Sequence, residues 1–319
     1  MKRLITCTLS AVLFLMLPVQ ARAAEYLIPV GKIIGLQLRS GSVTVVAYDE
    51  NLGANARSAG LKIGDEILSI DENAVSCAED VRSALHGCDD RVQLTVCRDG
   101  QKKTLTLSAC QTAEGPRLGV YLRQGIAGIG TVTFYDPETG LFGTLGHGVC
   151  DGKGKLLSMT EGSAFAASID NVKKGRCGDP GQLKGCAGTE LGTLLRNTPQ
   201  GVFGICKTGW QGDALPTADY EEIRSGAAAI RATVTGGEPQ EYSVEILKIY
   251  PEDRSDGRNF LLKVTDPKLL ETTGGIVQGM SGSPIIQDGK LVGAVTHVLV
   301  NDPTRGYGIF IENMLDAAG

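Results

Sequence analysis

Histidine is nearly absent from this chain, with three in 319 residues. No Cys-x-x-Cys pair occurs and no cysteine–histidine spacing suits a metal, so neither a metal site nor a cofactor is expected. There is one Trp, and the net charge is −5 with no basic run. Those scarcities argue against a nucleic-acid partner, which needs a cationic face. Beyond the first two dozen residues no apolar stretch approaches membrane-span length. Glycine is plentiful at 43 residues but has no G-x-y period. Collagen is thereby excluded, and many turns between short strands are implied.

The N-terminus carries the one long apolar run. Lys2 and Arg3 precede residues 4–19, and Ala21-Arg22-Ala23 has the small-x-small form of an export cleavage site. Residues 1–23 are expected to be a signal peptide or a membrane anchor, and the remainder to be exported. Eight cysteines follow this segment. In an exported protein they could form disulfides or remain as buried thiols. Cys88 with Cys110, and Cys177 with Cys186, are the candidate pairs.

Residues 24–111 form the first expected domain. Ser58-Ala59-Gly60-Leu61-Lys62-Ile63-Gly64-Asp65 leads into the apolar run 66–70. A helix over 78–86 follows, with Val81 and Leu85 on one face, then a hairpin about Asp99-Gly100. The order resembles a PDZ domain. That resemblance implies a groove which takes a peptide as an added strand. It would lie between residues 33–38, with Ile34, Gly35 and Leu36, and the helix carrying Val81 and Leu85. His86 ends that helix, where a solvated role suits it.

Residues 112–319 read as strands and turns, with helices only near 217–225 and 312–318. That composition fits a double β-barrel of the chymotrypsin kind. The whole chain is therefore expected to be mainly β, an α+β PDZ domain followed by a double barrel. Gly279-Met280-Ser281-Gly282-Ser283-Pro284 is similar to the trypsin-type nucleophile loop, in which glycines permit a tight turn beneath an exposed serine. Aligned so, Ser281 is the nucleophile, and the N–H groups of Gly279 and Ser281 form the oxyanion hole. His147, between Gly146 and Gly148, is the candidate base. His297, on the strand after the nucleophile hairpin, is expected to line the substrate. A carboxylate should orient the base. By position Asp170, Asp179, Asp213, Asp219, Asp253, Asp256 and Asp266 all qualify, and Asp266 at a strand end is favoured.

A more specific resemblance rests on four strings. They are Thr131-Val132-Thr133-Phe134-Tyr135-Asp136-Pro137, Leu145-Gly146-His147, Val264-Thr265-Asp266-Pro267, and Gly274-Gly275-Ile276-Val277-Gln278-Gly279-Met280-Ser281-Gly282-Ser283-Pro284. The chain resembles the sporulation stage IV protein B peptidases of endospore-forming bacteria, in the same domain order. The likeness implies a catalytic His147, Asp266 and Ser281. It further implies self-processing, release into the space between the two membranes around the forespore, and cleavage of the regulatory subunit of a membrane-embedded sigma-factor-processing protease. A catalytically inactive PDZ scaffold and a general envelope quality-control protease are the alternatives. The family pattern does not explain the cysteines.

Overall fold

The computed structural model describes residues 26–319 except Gly87, Asp89, Lys153 and 251–256. The expected signal or anchor segment, and the candidate acids Asp253 and Asp256, lie outside the described residues. The chain starts with β1 (Tyr26–Pro29) and β2 (Ile33–Ser40). A compact stretch follows: β3 (Val43–Tyr48), α1 (Ala54–Ser58), β4 (Glu66–Ile70), β5 (Asn73–Ala74), α2 (Ala78–His86), β6 (Arg91–Arg98), β7 (Gln101–Ser108), β8 (Cys110–Thr112), β9 (Gly115–Arg117) and β10 (Val120–Arg123). Next come β11 (Ile126–Tyr135), β12 (Leu141–Thr144), β13 (Met159–Lys173), β14 (Gln182–Thr198), β15 (Gly201–Cys206) and β16 (Leu215–Pro216). The last third holds β17 (Gly226–Ala232), β18 (Gln240–Ile249), β19 (Phe260–Val264), α3 (Pro267–Thr273), β20 (Pro284–Gln287), β21 (Lys290–Leu299), β22 (Asp302–Phe310) and α4 (Ile311–Ala318).

Two barrels result. In the first, β2, β11, β12, β15, β14 and β13 close a ring, and β1 and β16 extend it. In the second, β17, β18, β19, β22, β21 and β20 close another. Alternating apolar side chains fill both. Ile34, Leu36, Leu38, Val132 and Phe142 pack inside the first. In the second, Phe260 meets Phe310 edge to face at 4.8 Å, among Val295 and Ile285.

The PDZ-like sheet runs β10-β3-β4-β6-β7. Its core joins Val43, Val45, Ile67, Leu94 and Val96 to Val81 and Leu85 of α2. Asp80 holds the start of α2, accepting from Ser76 N at 2.8 Å, Ser76 Oγ at 2.6 Å and Cys77 N at 3.1 Å. Those hydrogen bonds, the one from the Ser76 hydroxyl foremost, pull the Asp80 carboxyl down to about 2. The start of α2 is thus capped from within its own first turn.

Two expectations change here. Ile34, Gly35 and Leu36 do not flank α2. They lie in β2, paired with β11 on one side (Ile34 with Gly130, Leu36 with Gly128) and β13 on the other (Ile34 with Ala166, Leu36 with Ala164). The place beside β3 belongs to β10, so the expected groove is not built from residues 33–38. Val81 and Leu85 face the module's interior and are 5% and 3% exposed. The PDZ-like sheet precedes most of the double barrel in the chain, between β2 and β11, which pair with each other in the first barrel. Among the described residues no disulfide joins any of the eight cysteines. The single Cys88 S–H has Asp71 Oδ2 at 2.9 Å and Ala84 O at 2.7 Å within reach as acceptors, and Cys110 Sγ donates to Leu52 O. The Cys186 thiol faces Asp170, which pushes its pKa up.

Candidate active site

The loop carrying Ser281 is anchored by its carbonyls. Thr131 Oγ1 donates to Gly279 O at 2.8 Å, and Thr131 N to Ser281 O at 2.9 Å. Thr133 Oγ1 donates to Gly282 O at 2.7 Å. All these donors sit on β11 of the first barrel, so one barrel fixes the loop of the other. Within the loop, Met280 O accepts from Ser283 N at 3.0 Å and from Ser283 Oγ at 2.7 Å. Gly282 has a left-handed φ of 94°, and a Cβ there would lie 2.0 Å from Thr131 O. Only glycine fits. With the carbonyls occupied, neither Gly279 N–H nor Ser281 N–H donates to an acceptor among the described residues. The Ser281 hydroxyl donates to Thr296 O at 2.7 Å.

His147 leaves β12 through two left-handed residues, Leu145 at φ 69° and Gly146 at φ 67°. A positive φ at leucine is strained. The turn sets the chain against β21, where a Cβ on Gly146 would come 2.9 Å from Thr296 Cγ2. On the other side of His147, a Cβ on Gly148 would sit 2.3 Å from Leu156 Cδ1. His147 Nδ1 lies 3.0 Å from Gly148 O. A carbonyl oxygen only accepts, so Nδ1 carries the hydrogen and Nε2 carries the lone pair. Burial lowers the His147 pKa below the ordinary histidine value, and the bond to Gly148 offsets this in part. Burial therefore favours the neutral ring.

The structure brings three of the expected residues together. The His147 and His297 ring centroids are 5.0 Å apart at a tilt of 35°. His297 follows Thr296, whose carbonyl holds Ser281 Oγ. No hydrogen bond yet joins His147 to Ser281, an arrangement common before substrate binds.

Asp266 is elsewhere. It is the N-cap of α3, with Oδ1 accepting from Leu269 N at 2.9 Å and Oδ2 from Ser243 N at 3.4 Å. It makes no hydrogen bond to His147. The register explains this: His297 pairs with Tyr307, and Tyr307 with Leu261. Asp266 lies five residues past Leu261 and beyond the end of β19, roughly 17 Å further along the strand direction. The Asp-Pro pair that reads as a strand-end carboxylate is instead a helix start, with proline in the first turn.

Thr131, Thr133, Thr296 O and Gly148 O are the positioning groups that sequence reading misses. The signal for the first two is present, as a pair of threonines on one face of an otherwise apolar strand. Carbonyls leave no trace in sequence. Among the described residues no cluster of His, Cys, Asp or Glu could hold a metal ion, and no helix is long and apolar enough to cross a membrane.

Residues 114–315 match the family model of the SpoIVB peptidase S55 group, and residues 33–108 match that of PDZ domains. The serine protease Do-like HtrA of Lactococcus lactis subsp. lactis is 44% identical over 62 residues, which is 19% of this chain and 15% of that protein. Its counterpart in subsp. cremoris is 42% identical over the same length. The chain thus spans 15% of the length of the curated relatives it matches. The active form of the Rv3671c protease from M. tuberculosis is similar with 15% identity and a TM-score of 0.38, covering 61% of this chain and 75% of that one. The PDZ domain of an SdrC-like protein from Listeria monocytogenes is similar with 21% identity and a TM-score of 0.23, covering 26% and 87%.

Proposed function

This chain belongs to the SpoIVB peptidase S55 family, and we propose that it is a serine endopeptidase with Ser281 as nucleophile and His147 as base. One observation carries the reading. A serine sits on a turn anchored by its carbonyls, with two backbone N–H groups left over, beside the strand that packs against a neutral, Nδ1-protonated histidine.

Rotation of the Ser281 side chain away from Thr296 O turns its hydroxyl toward His147. Ser281 Oγ then bonds to the scissile carbonyl carbon while His147 Nε2 takes its proton. The carbonyl oxygen gathers negative charge opposite the N–H groups of Gly279 and Ser281. Collapse breaks the peptide C–N bond, and His147 returns the proton to the leaving amine. Water repeats the sequence on the acyl-enzyme and frees Ser281.

By family likeness, the proposal extends to self-processing and to the regulatory subunit of a membrane-bound sigma-factor-processing protease as substrate. It extends also to export through the N-terminal segment, into the space between forespore and mother cell. The PDZ-like insert contributes to choosing the target. The test is time-resolved mass spectrometry of the full chain and its cleavage of an unstructured protein substrate. Ser281→Ala should abolish both self-cleavage and substrate cleavage while leaving the melting temperature within a few degrees. Ser283→Ala should keep activity. Normal cleavage by Ser281→Ala would sink the assignment and favour another nucleophile; an inert wild-type chain would favour a PDZ scaffold.

A further inference from the structure

We infer that β2 has two homes, the first barrel and the edge of β3, and that β10 decides between them by covering that edge. Residues 34–39 match residues 118–123 position by position. Both are apolar at the first, third and fifth places, with glycine at the second and arginine at the last. Leu118, Val120 and Leu122 pack on the core of the PDZ-like module. Ile34, Leu36 and Leu38 would bring nearly the same volumes there. Gly41-Ser42 has the sequence of a two-residue hairpin turn, which would set Arg39 opposite Thr44 and Leu38 opposite Val45. The turn is unused in the structure, since it needs a left-handed glycine and Gly41 lies outside that region. Gly119 has φ 73°, and a Cβ there would lie 2.2 Å from Leu52 O, so the edge of β3 demands glycine at that place. The barrel makes no such demand of Gly35. A Cβ there would meet Ala187 Cβ at 3.3 Å, which a shift of a few tenths of an ångström relieves. The PDZ family match, over 33–108, likewise takes in β2 and stops short of β10.

The two homes differ in what they do to the candidate site, and this consequence rests on the reading of Ser281 as nucleophile. In the barrel, β2 pairs with β11 from Ile33 opposite Thr131 to Leu38 opposite Ile126, and with β13 on its other side. Thr131 gives its N–H and its hydroxyl to the Ser281 loop. With β2 on β3, β11 loses that neighbour and the barrel opens beside Thr131. Pairing on both sides favours the barrel as long as β10 holds β3, which is the state of the structure. Removing β10 bares the edge beside Val43 and Val45, both 0% exposed, and β2 lies one turn away. Two packings of one sequence that lie close in free energy suffice for such a switch. Synthesis starts the chain in the off state. Residues 33–108 are made before β10 and the remaining barrel strands, so β3 meets β2 first. The arrival of β10 then releases β2 to the barrel.

The experiment reads two signals in the full-length protein. One is hydrogen exchange at the amides of 126–131 and 120–123; the other is the rate at which a small fluorophosphonate probe labels Ser281. Only the second depends on the catalytic reading. Gly119→Ala should unseat β10, expose 126–131 to exchange and slow labelling by up to about 100-fold, the span of a 99:1 equilibrium reversed. Gly35→Ala bars β2 from β3 at little cost to the barrel, and alone it should leave both signals as in wild type. Added to Gly119→Ala, it should restore the protection of 126–131 and the labelling rate together. A module that is merely damaged gives no such rescue. If Gly119→Ala fails to fold or leaves 120–123 protected, Val120→Asp with Leu122→Asp unseats β10 instead and takes the same rescue. Wild-type protection of 126–131 in a variant whose β10 is unprotected would overturn the proposal, because β2 would then have one home. Loss of both signals that Gly35→Ala does not restore would overturn it in favour of general damage to the module. Wild-type protein that does not label at Ser281 would remove the catalytic reading, and exchange at 126–131 would then decide on the strand alone.

Discussion

Ser281 owes its placement to residues that never touch a substrate. Thr131 gives both its N–H and its hydroxyl to the nucleophile loop, at 2.9 Å and 2.8 Å. Thr131→Val keeps the shape, removes the hydroxyl donor and leaves Gly279 O short of a partner in a buried place. We expect a loss of about 1–3 kcal/mol in stability by urea melts. We also expect a fall of about tenfold in kcat with KM nearly constant, since the N–H of Gly279, proposed to face the oxyanion, loses its aim. His147 makes a second prediction. Burial favours its neutral form, and only the neutral form can take a proton from Ser281. As pH falls, the base therefore survives past the ordinary histidine value of about 6.5. The acid limb of kcat/KM should have its midpoint below that value. A midpoint at or above it would contradict a desolvated base.

Elements rather than residues explain what was legible beforehand. The glycine-rich turn at Ser281, the glycine-flanked His147 and the double barrel are all readable, because each rests on local turn chemistry or on alternating apolar residues. The place of β2 is not. Residues 34–39 read Ile-Gly-Leu-Gln-Leu-Arg and residues 118–123 read Leu-Gly-Val-Tyr-Leu-Arg. Paired as a two-residue hairpin across Gly41-Ser42, Arg39 would face Thr44 and Leu38 would face Val45. Those partners are taken by Arg123 and Leu122. Two segments thus fit one sheet edge in one register, and only the long-range partners of β2 decide between them. The PDZ family match starts at Ile33, within the strand that the barrel claims. The cap role of Asp266 is hidden for a similar reason, since a carboxylate at a strand end and an N-cap look alike until the next turn is seen. Inside the PDZ-like module a local motif does carry its meaning. Gly64-Asp65 places a carboxylate that is 1% exposed in a double hydrogen bond with Arg98, at 2.7 Å and 2.6 Å. That pairing raises the Arg98 pKa. Asp65→Ala would strand the guanidinium, at an expected cost of about 3–5 kcal/mol to the module's unfolding by hydrogen exchange. The barrels, which share no part of this pair, should keep their protection.

At the scale of the molecule, two barrels share one site, and the PDZ-like module hangs from the first. The chain departs after Ser40 of β2 and returns at Ile126 of β11, and these strands are neighbours, with Leu38 opposite Ile126. The return is tight: Gly125 has φ 83°, and a Cβ there would lie 1.9 Å from Leu38 O. Replacing residues 41–123 with a two-residue Asn-Gly turn should leave a barrel pair that folds and still labels at Ser281, as circular dichroism and probe labelling would report. Failure of that shortened chain to fold would mean that the module braces the barrel. The arrangement is that of a cassette spliced into a hairpin, and such splices are tolerated where entry and exit lie side by side. A lineage can then exchange the inserted module, or lose it, through a single continuous stretch of coding sequence, while the strands that cradle the Ser281 loop stay untouched.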